Sequence, residues 1–209
     1  MASKINRKFF FDNLRRTLFT GKLTSGQVSG LTVILDSWEA AHSKKDDRWL
    51  AYALGTTFHE TAFTMQPVRE RGSKDYFFRM YDPGSPLPRR AKLARDMGAR
   101  PGDGVVFYGR GFVQLTWRSN YAKAGKAFAK DLTSSAAAAD RALEAQLAAK
   151  IMFMGMESGM FTGKKFADYF NEGDEDWLNA RRIINGLDSA EDIERYALKF
   201  YASISYTTG

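Results

Sequence analysis

Cysteine is absent from this chain of 209 residues, and only two histidines are present, His42 and His59. The lack of cysteine excludes disulfides, cysteine-ligated metal sites and a cysteine nucleophile. His59-Glu60 begins the zinc-protease pattern His-Glu-x-x-His, but Phe63 occupies the position that requires the second histidine. The sequence therefore excludes the zinc proteases as well.

Long apolar runs are also missing. No uninterrupted apolar stretch reaches the ~18 residues that a membrane-spanning helix needs. Near the start of the chain, Asp12 and the pair Arg15-Arg16 interrupt any signal-peptide core. We therefore expect synthesis in a cytoplasm, without a transmembrane segment and without an N-terminal export signal.

The charge is unbalanced, with a formal net charge of +7 and a pI near 9.5. An excess of this sign favours a polyanionic partner, and nucleic acid, anionic lipid and anionic cell wall all fit. No base-stacking ribbon or known reader motif for nucleic acid is present, so we expect no nucleic-acid partner.

Apolar spacing and capping residues predict a chain made mostly of helices. The segment from Arg69 to Arg100 is rich in Arg, Lys, Gly and Pro and is predicted to be a long basic loop, with a short helix or strand at 77–81. A short hairpin is predicted near Val105 to Leu115. Helices are predicted over Ile5–Phe19, from a cap at Thr24 or Ser25 to about Ala41, from a cap at Asp46 or Asp47 through Trp49–Phe58 to Glu60, from a turn at Leu115 to Phe128, from a cap at Ser134 or Ser135 to Met156, and from a capping signature at Ser189 to about Ile204.

No linker or internal repeat divides the chain, so we expect one mainly α domain over 1–209, with N-terminal helices in 1–45 and a core in 46–205.

Two glutamates differ in their predicted surroundings. Glu60 ends the apolar run that begins at Trp49, and desolvation there should raise its pKa, which suits a general acid. Glu70 follows the helix-breaking Pro67, so it should lie on a loop or a new element. The arginines on either side of Glu70 favour its ionised form. Two carboxyls in opposite settings are what acid/base hydrolysis needs, although a lone glutamate at a helix end is more commonly a solvated or capping residue.

Four blocks in the same order resemble glycoside hydrolase family 19, which comprises chitinases and chitinase-like phage endolysins of the lysozyme-like superfamily. The blocks span roughly Trp49 to Tyr201, and the Tyr-Gly-Arg-Gly block is the most specific. They are Phe58-His59-Glu60-Thr61, Arg69-Glu70, Tyr108 to Trp117 with Asn120-Tyr121, and Ile183-Ile184-Asn185-Gly186. The chain departs from the family at Ala62-Phe63, where two glycines are common, and at Ser119, where many members carry an aromatic residue.

The resemblance implies a lysozyme-like helical fold and a role for each matching residue. Glu60 matches the general acid, Glu70 the general base, and Thr116 the residue that holds the attacking water. Arg195 matches an arginine that supports the carboxylate network. The resemblance also implies substrate contacts by His59, Tyr108, Arg110, Gln114, Asn120, Asn185 and Arg195.

The mechanism so implied is inverting hydrolysis of a β-1,4 bond next to an N-acetylated sugar, without a metal or another cofactor. An inverting pair needs its carboxyls roughly 6.5–9.5 Å apart, which leaves room for a water.

The expected substrate is peptidoglycan, because its muramic and peptide carboxylates suit a basic protein whereas chitin is neutral. The endolysin interpretation further implies a monomer that leaves the host cytoplasm with the help of a holin. Two alternatives stay open: a chitinase acting on chitin oligomers, and a non-catalytic glycan-binding module.

Overall fold

A computed structural model describes residues 4–207 of the chain, and it confirms the mainly helical fold class. Four short 3₁₀ turns, at 103–105, 141–143, 166–168 and 179–183, connect the helices. Within residues 4–207, no helix is both long and apolar enough to cross a membrane. The helices are α1 (Arg7–Thr17), α2 (Ser25–Ala41), α3 (Asp47–Glu60), α4 (Lys74–Tyr81), α5 (Pro88–Asp96), α6 (Arg118–Phe128), α7 (Ala136–Asp140), α8 (Ala145–Ser158) and α9 (Ala190–Tyr201), and the strands are β1 (Val68–Arg69) and β2 (Arg110–Gly111).

Two compact units make up the chain. The first unit contains the residues up to Gln66 together with those from Ala149 onward, and the second unit is Pro67–Ala148. The division expected after residue 45 does not separate these units, because α2 and α3 both belong to the first.

Helix α3 is the centre of the first unit. Every residue from Leu50 to Phe58 is buried, as the apolar run in the sequence predicts. Helix α9 packs along it, and the backbones approach closely at Gly55, where a Cβ would lie only 2.7 Å from the amide nitrogen of Ala197. This packing holds α3 rigidly and so fixes the position of Glu60, its last residue.

Side-chain caps begin α2 and α3 where the sequence predicts. Thr24 and Gln27 form a reciprocal capping box before α2, and the Asp46 carboxylate accepts a hydrogen bond from the Arg48 amide before α3. The expected cap of α9 is wrong: Ser189 has φ 58° and makes no side-chain capping bond.

A strained loop follows Glu60. Ala62, Phe63 and Met65 all have positive φ, between 48° and 68°, which non-glycine residues rarely adopt. Local contacts hold this conformation: the Thr61 hydroxyl accepts a hydrogen bond from the Met65 amide at 3.1 Å, and Gly30 of α2 leaves space that the Met65 carbonyl fills.

In the second unit, two short strands that are far apart in the sequence pair with each other. They are antiparallel, with Val68 opposite Gly111 and Arg69 opposite Arg110. The hairpin predicted near 105–115 therefore contributes one strand and a tight turn closed by a bridge between Arg110 and Leu115. The pairing brings the segment that contains Glu70 alongside the Tyr-Gly-Arg-Gly block.

The predicted long basic loop is wrong, because 69–100 contains α4 and α5. Pro88 occupies the first turn of α5, where its missing N–H is not needed, and only Ala91 and Ala94 of that helix are buried. The single helix predicted from Ser135 to Met156 is also wrong, since a 3₁₀ turn at 141–143 divides it into α7 and α8.

Candidate active site

Glu60 is held by a buried arginine. Its carboxylate accepts a hydrogen bond from Nη1 of Arg181 at 2.6 Å. The Arg181 side chain is 5% exposed and that of Glu60 17% exposed, so the pair is largely shielded from water. Nε of Arg181 also donates to the Asp188 carbonyl at 3.0 Å, which fixes the guanidinium plane. The surroundings of Glu60 thus include a cation that the sequence did not indicate.

Arg181, and not Arg195, supports the Glu60 carboxylate. Arg195 lies on α9, where its exposed guanidinium pairs with Asp192 at 2.6 Å. The role that we expected for Arg195 in the carboxylate network is therefore wrong.

Two further predicted residues lie next to this ion pair in the sequence. His59 precedes Glu60 in the last turn of α3 and is half-buried. The exposed Asn185 follows the 3₁₀ turn that carries Arg181, and its backbone N–H donates to the Arg181 carbonyl at 3.1 Å.

Glu70 is held by three donors in the second unit. The Tyr81 hydroxyl lies 2.9 Å from both carboxylate oxygens, the Tyr76 hydroxyl lies 3.2 Å from Oε1, and the Gly109 amide donates to Oε2 at 2.9 Å. The Glu70 amide in turn donates to the Gly109 carbonyl at 2.9 Å. Burial and the Glu70 charge raise the pKa of Tyr81, so this phenol remains a donor at neutral pH.

The arginines beside Glu70 form no ion pair with its carboxylate within residues 4–207. The Arg69 guanidinium pairs with Asp140 at 2.8 Å, and Arg71 is exposed. Neutral donors from α4 and the backbone contact the carboxylate.

Gly109 leaves the space that Glu70 and Gln114 occupy. A Cβ at this position would lie 3.0 Å from Oε2 of Glu70 and 2.5 Å from Oε1 of Gln114. Gln114 has φ 57°, and its amide group donates to the Val68 carbonyl at 3.3 Å. The first glycine of the Tyr-Gly-Arg-Gly block is thus needed because any larger residue would displace two predicted site residues.

Arg110 is a structural residue, and its predicted contact with substrate is wrong. It is 1% exposed, its Nε donates to Asp140 at 2.7 Å, and its Nη1 contacts the Val106 carbonyl and the Tyr121 hydroxyl at 2.9 and 3.0 Å. A side chain so enclosed cannot reach a ligand.

The other predicted residues of this block remain candidates. Tyr108 is half-buried, and its ring stacks on Phe77 at 3.9 Å and on the Arg110 guanidinium at 4.1 Å. Only the edge of the ring is therefore available to contact a ligand. Thr116 is half-buried. Asn120 is 2% exposed, and its buried Oδ1 has no hydrogen-bond partner among residues 4–207, so it can accept from an enclosed water.

The geometry thus adds four residues that the sequence interpretation missed. Tyr76 and Tyr81 lie in a segment predicted to be mostly loop, and Gly109 belongs to the Tyr-Gly-Arg-Gly block but had no predicted role of its own. Arg181 is 121 residues from its partner in sequence, and no local pattern marks such a contact. Among residues 4–207, no group of three or more His, Asp or Glu side chains is placed to hold a metal ion.

Comparison with solved structures identifies a protein with a similar fold. The crystal structure of a chitinase C mutant superimposes with a TM-score of 0.59 and 21% sequence identity, covering 98% of this chain and 94% of that chain. This chain has the mainly helical, lysozyme-like fold of a chitinase. No protein-family model matches the sequence, and no curated protein matches it either. The similarity therefore rests on three-dimensional structure, and at this identity it establishes the fold alone.

Proposed function

We propose that this protein is a glycoside hydrolase that cleaves a β-1,4 bond next to an N-acetylated sugar, with inversion at the anomeric carbon. The observation that carries the proposal is the Glu70 carboxylate, which three donors hold in place although it lies in a short loop beside β1. A solvated surface glutamate needs no such arrangement, whereas a general base must be positioned before its substrate arrives.

In the proposed mechanism, Glu60 donates its proton to the glycosidic oxygen as the bond to the anomeric carbon breaks. Arg181, 2.6 Å away, then stabilises the carboxylate that remains. Glu70 removes a proton from a water that the Thr116 hydroxyl holds, and the water oxygen bonds to the anomeric carbon. The two carboxyls must be roughly 6.5–9.5 Å apart for this water to fit.

Peptidoglycan is the proposed substrate, in a protein that acts as an endolysin. The net charge of +7 supports an anionic glycan. Nine Lys and Arg residues against four Asp and Glu residues lie within 69–100, so much of this charge belongs to the segment that carries Glu70. Chitin is the second candidate, because the solved structure with the same fold is a chitinase.

Two variants test the chemistry. Glu60→Gln and Glu70→Gln should each lower the turnover of oligosaccharides or purified cell walls by at least about 10²-fold, because each removes a proton-transfer group. Glu172→Gln, which changes an exposed glutamate, is the matched control. Retention of full activity in Glu60→Gln or Glu70→Gln would contradict the proposal.

Parallel assays identify the substrate and the stereochemistry. Purified cell walls and soluble chitin oligomers are incubated side by side with the wild-type protein, and NMR records the anomer formed first. Hydrolysis of cell walls supports the endolysin, and hydrolysis of chitin alone supports the chitinase. Binding to either glycan without turnover by the wild-type protein would instead identify a glycan-binding module.

A further inference from the structure

A pocket of about 540 Å³ lies within the first unit. Its walls come from the connection between α1 and α2, the strained loop after α3, and α9. The Phe58 and Phe63 rings lie 4.6 Å apart, and Tyr196 packs edge-on against Phe58 at 4.9 Å. The pocket thus has an aromatic wall.

Phe63 is the unusual member of this wall. Its side chain is 47% exposed and its φ is 68°, a conformation that costs free energy in a bulky residue. The Gln27 side chain donates to the Phe63 carbonyl at 3.0 Å and holds the backbone there. The exposed part of this ring therefore offers an apolar face on which a ligand can pack.

The charge of the pocket has one sign. Lys22, Arg195 and Lys199 line it, and no Asp or Glu does. Arg195 also pairs with Asp192, and Nζ of Lys199 donates to the Thr17 carbonyl at 2.9 Å. Lys22 makes no ion pair within residues 4–207. The pocket therefore suits a ligand that combines an apolar face with a negative charge.

We propose that this pocket binds a carboxylate-bearing amino sugar of the glycan, with the sugar face on Phe63 and Tyr196 and the carboxylate at Lys22 and Arg195. The inference rests on the proposed function, because it names the sugar that the enzyme would select. A muramic acid residue whose lactyl carboxylate carries no stem peptide has both features, and the neutral sugar of chitin lacks the carboxylate. Arg195 would thus contact substrate here, and not at Glu60.

Binding measurements test the pocket separately from catalysis. The full-length Glu60→Gln protein is titrated calorimetrically with the disaccharide of N-acetylglucosamine and N-acetylmuramic acid, and with neutral chitobiose. The acidic disaccharide should bind about fivefold to tenfold more tightly, because two partly exposed cations contribute. Added salt should reduce this preference. Equal affinities for the two disaccharides would overturn the proposal.

Two pairs of substitutions locate the preference. Lys22→Gln with Arg195→Gln should remove it and leave chitobiose binding unchanged. Arg16→Gln with Lys126→Gln removes the same charge from exposed positions outside the pocket and should keep the preference. If both pairs lower it equally, the selectivity reflects overall charge and the pocket is not its source.

The aromatic wall has its own test. Phe63→Ala should weaken the binding of both disaccharides by about tenfold and keep their ratio, whereas Phe63→Tyr should restore binding. Circular dichroism checks that each variant is folded. Unchanged binding in Phe63→Ala would remove the ring from the site.

Failure of this inference and failure of the proposed function give different results. An active enzyme that binds both disaccharides equally refutes only the pocket. A protein whose Glu60→Gln variant still hydrolyses glycan refutes the catalytic assignment, whatever the binding data show.

Discussion

One methyl group, added by Gly109→Ala, should inactivate the enzyme without unfolding it. The new Cβ would lie 3.0 Å from Oε2 of Glu70 and 2.5 Å from Oε1 of Gln114, where ordinary contacts begin at 3.4 Å. The Glu70 oxygen must therefore move by about 0.4 Å and the Gln114 oxygen by about 0.9 Å. Both are ends of side chains, so they can move while the backbone stays in place.

The size of the effect follows from the bonds that this movement disturbs. The Gly109 amide donates to Glu70 at 2.9 Å, and a hydrogen bond to a charged group contributes about 1.5–3 kcal/mol. A misplacement of about 1 Å in an active site costs about 10²-fold in rate. We therefore expect kcat to fall by about 10-fold to 100-fold, with a change in Tm of only a few degrees.

Steady-state hydrolysis of a soluble oligosaccharide, together with a thermal melt, measures both quantities. Gly173→Ala is the matched control, because its methyl group would lie at 3.7 Å from the nearest atom, Oδ1 of Asn171. A folded Gly109→Ala protein with kcat within twofold of the wild type would refute the idea that Glu70 must be held in this position.

Three further predictions follow from single contacts. Tyr81→Phe removes the hydroxyl that lies 2.9 Å from both Glu70 oxygens, so kcat should fall about tenfold with KM unchanged. A raised KM with an unchanged kcat would instead indicate a role in substrate binding. Arg110→Lys should lower the free energy of unfolding by about 3 kcal/mol in urea titrations, because the contacts that it loses are buried. The folded variant should keep the KM of the wild type, and a raised KM would indicate that Arg110 contacts substrate after all. Desolvation lowers the pKa of His42 despite the nearby Glu157, so the native state binds fewer protons than the unfolded state. The free energy of unfolding should therefore fall as the pH drops below the unfolded pKa of about 6.5, and it should level off below the native pKa. Thermal melts across this range should show a smaller slope in His42→Phe, and an identical slope would exclude His42 as the cause.

Local signals in the sequence predicted the elements of the first unit well. Thr24 and Asp46, each one of two candidate caps in the sequence, are the observed N-caps of α2 and α3, and the apolar run from Trp49 predicts that α3 is buried. The sequence missed α5 because that helix is polar on most of its surface and buries only Ala91 and Ala94, so its apolar periodicity is weak.

Burial patterns, caps and short motifs act over a few residues, so the mainly helical fold and the choice of Glu60 and Glu70 as candidate carboxylates could be read from the amino-acid order. The groups that hold these carboxylates became visible in the folded chain. Arg181 is 121 residues from Glu60, and Gly109 is 39 residues from Glu70. Such contacts depend on how helices and strands pack, since a side chain's partners are set by three-dimensional proximity and leave no regular spacing in the sequence. For the same reason Arg110, which the motif places among the substrate contacts, proves to be enclosed in the core.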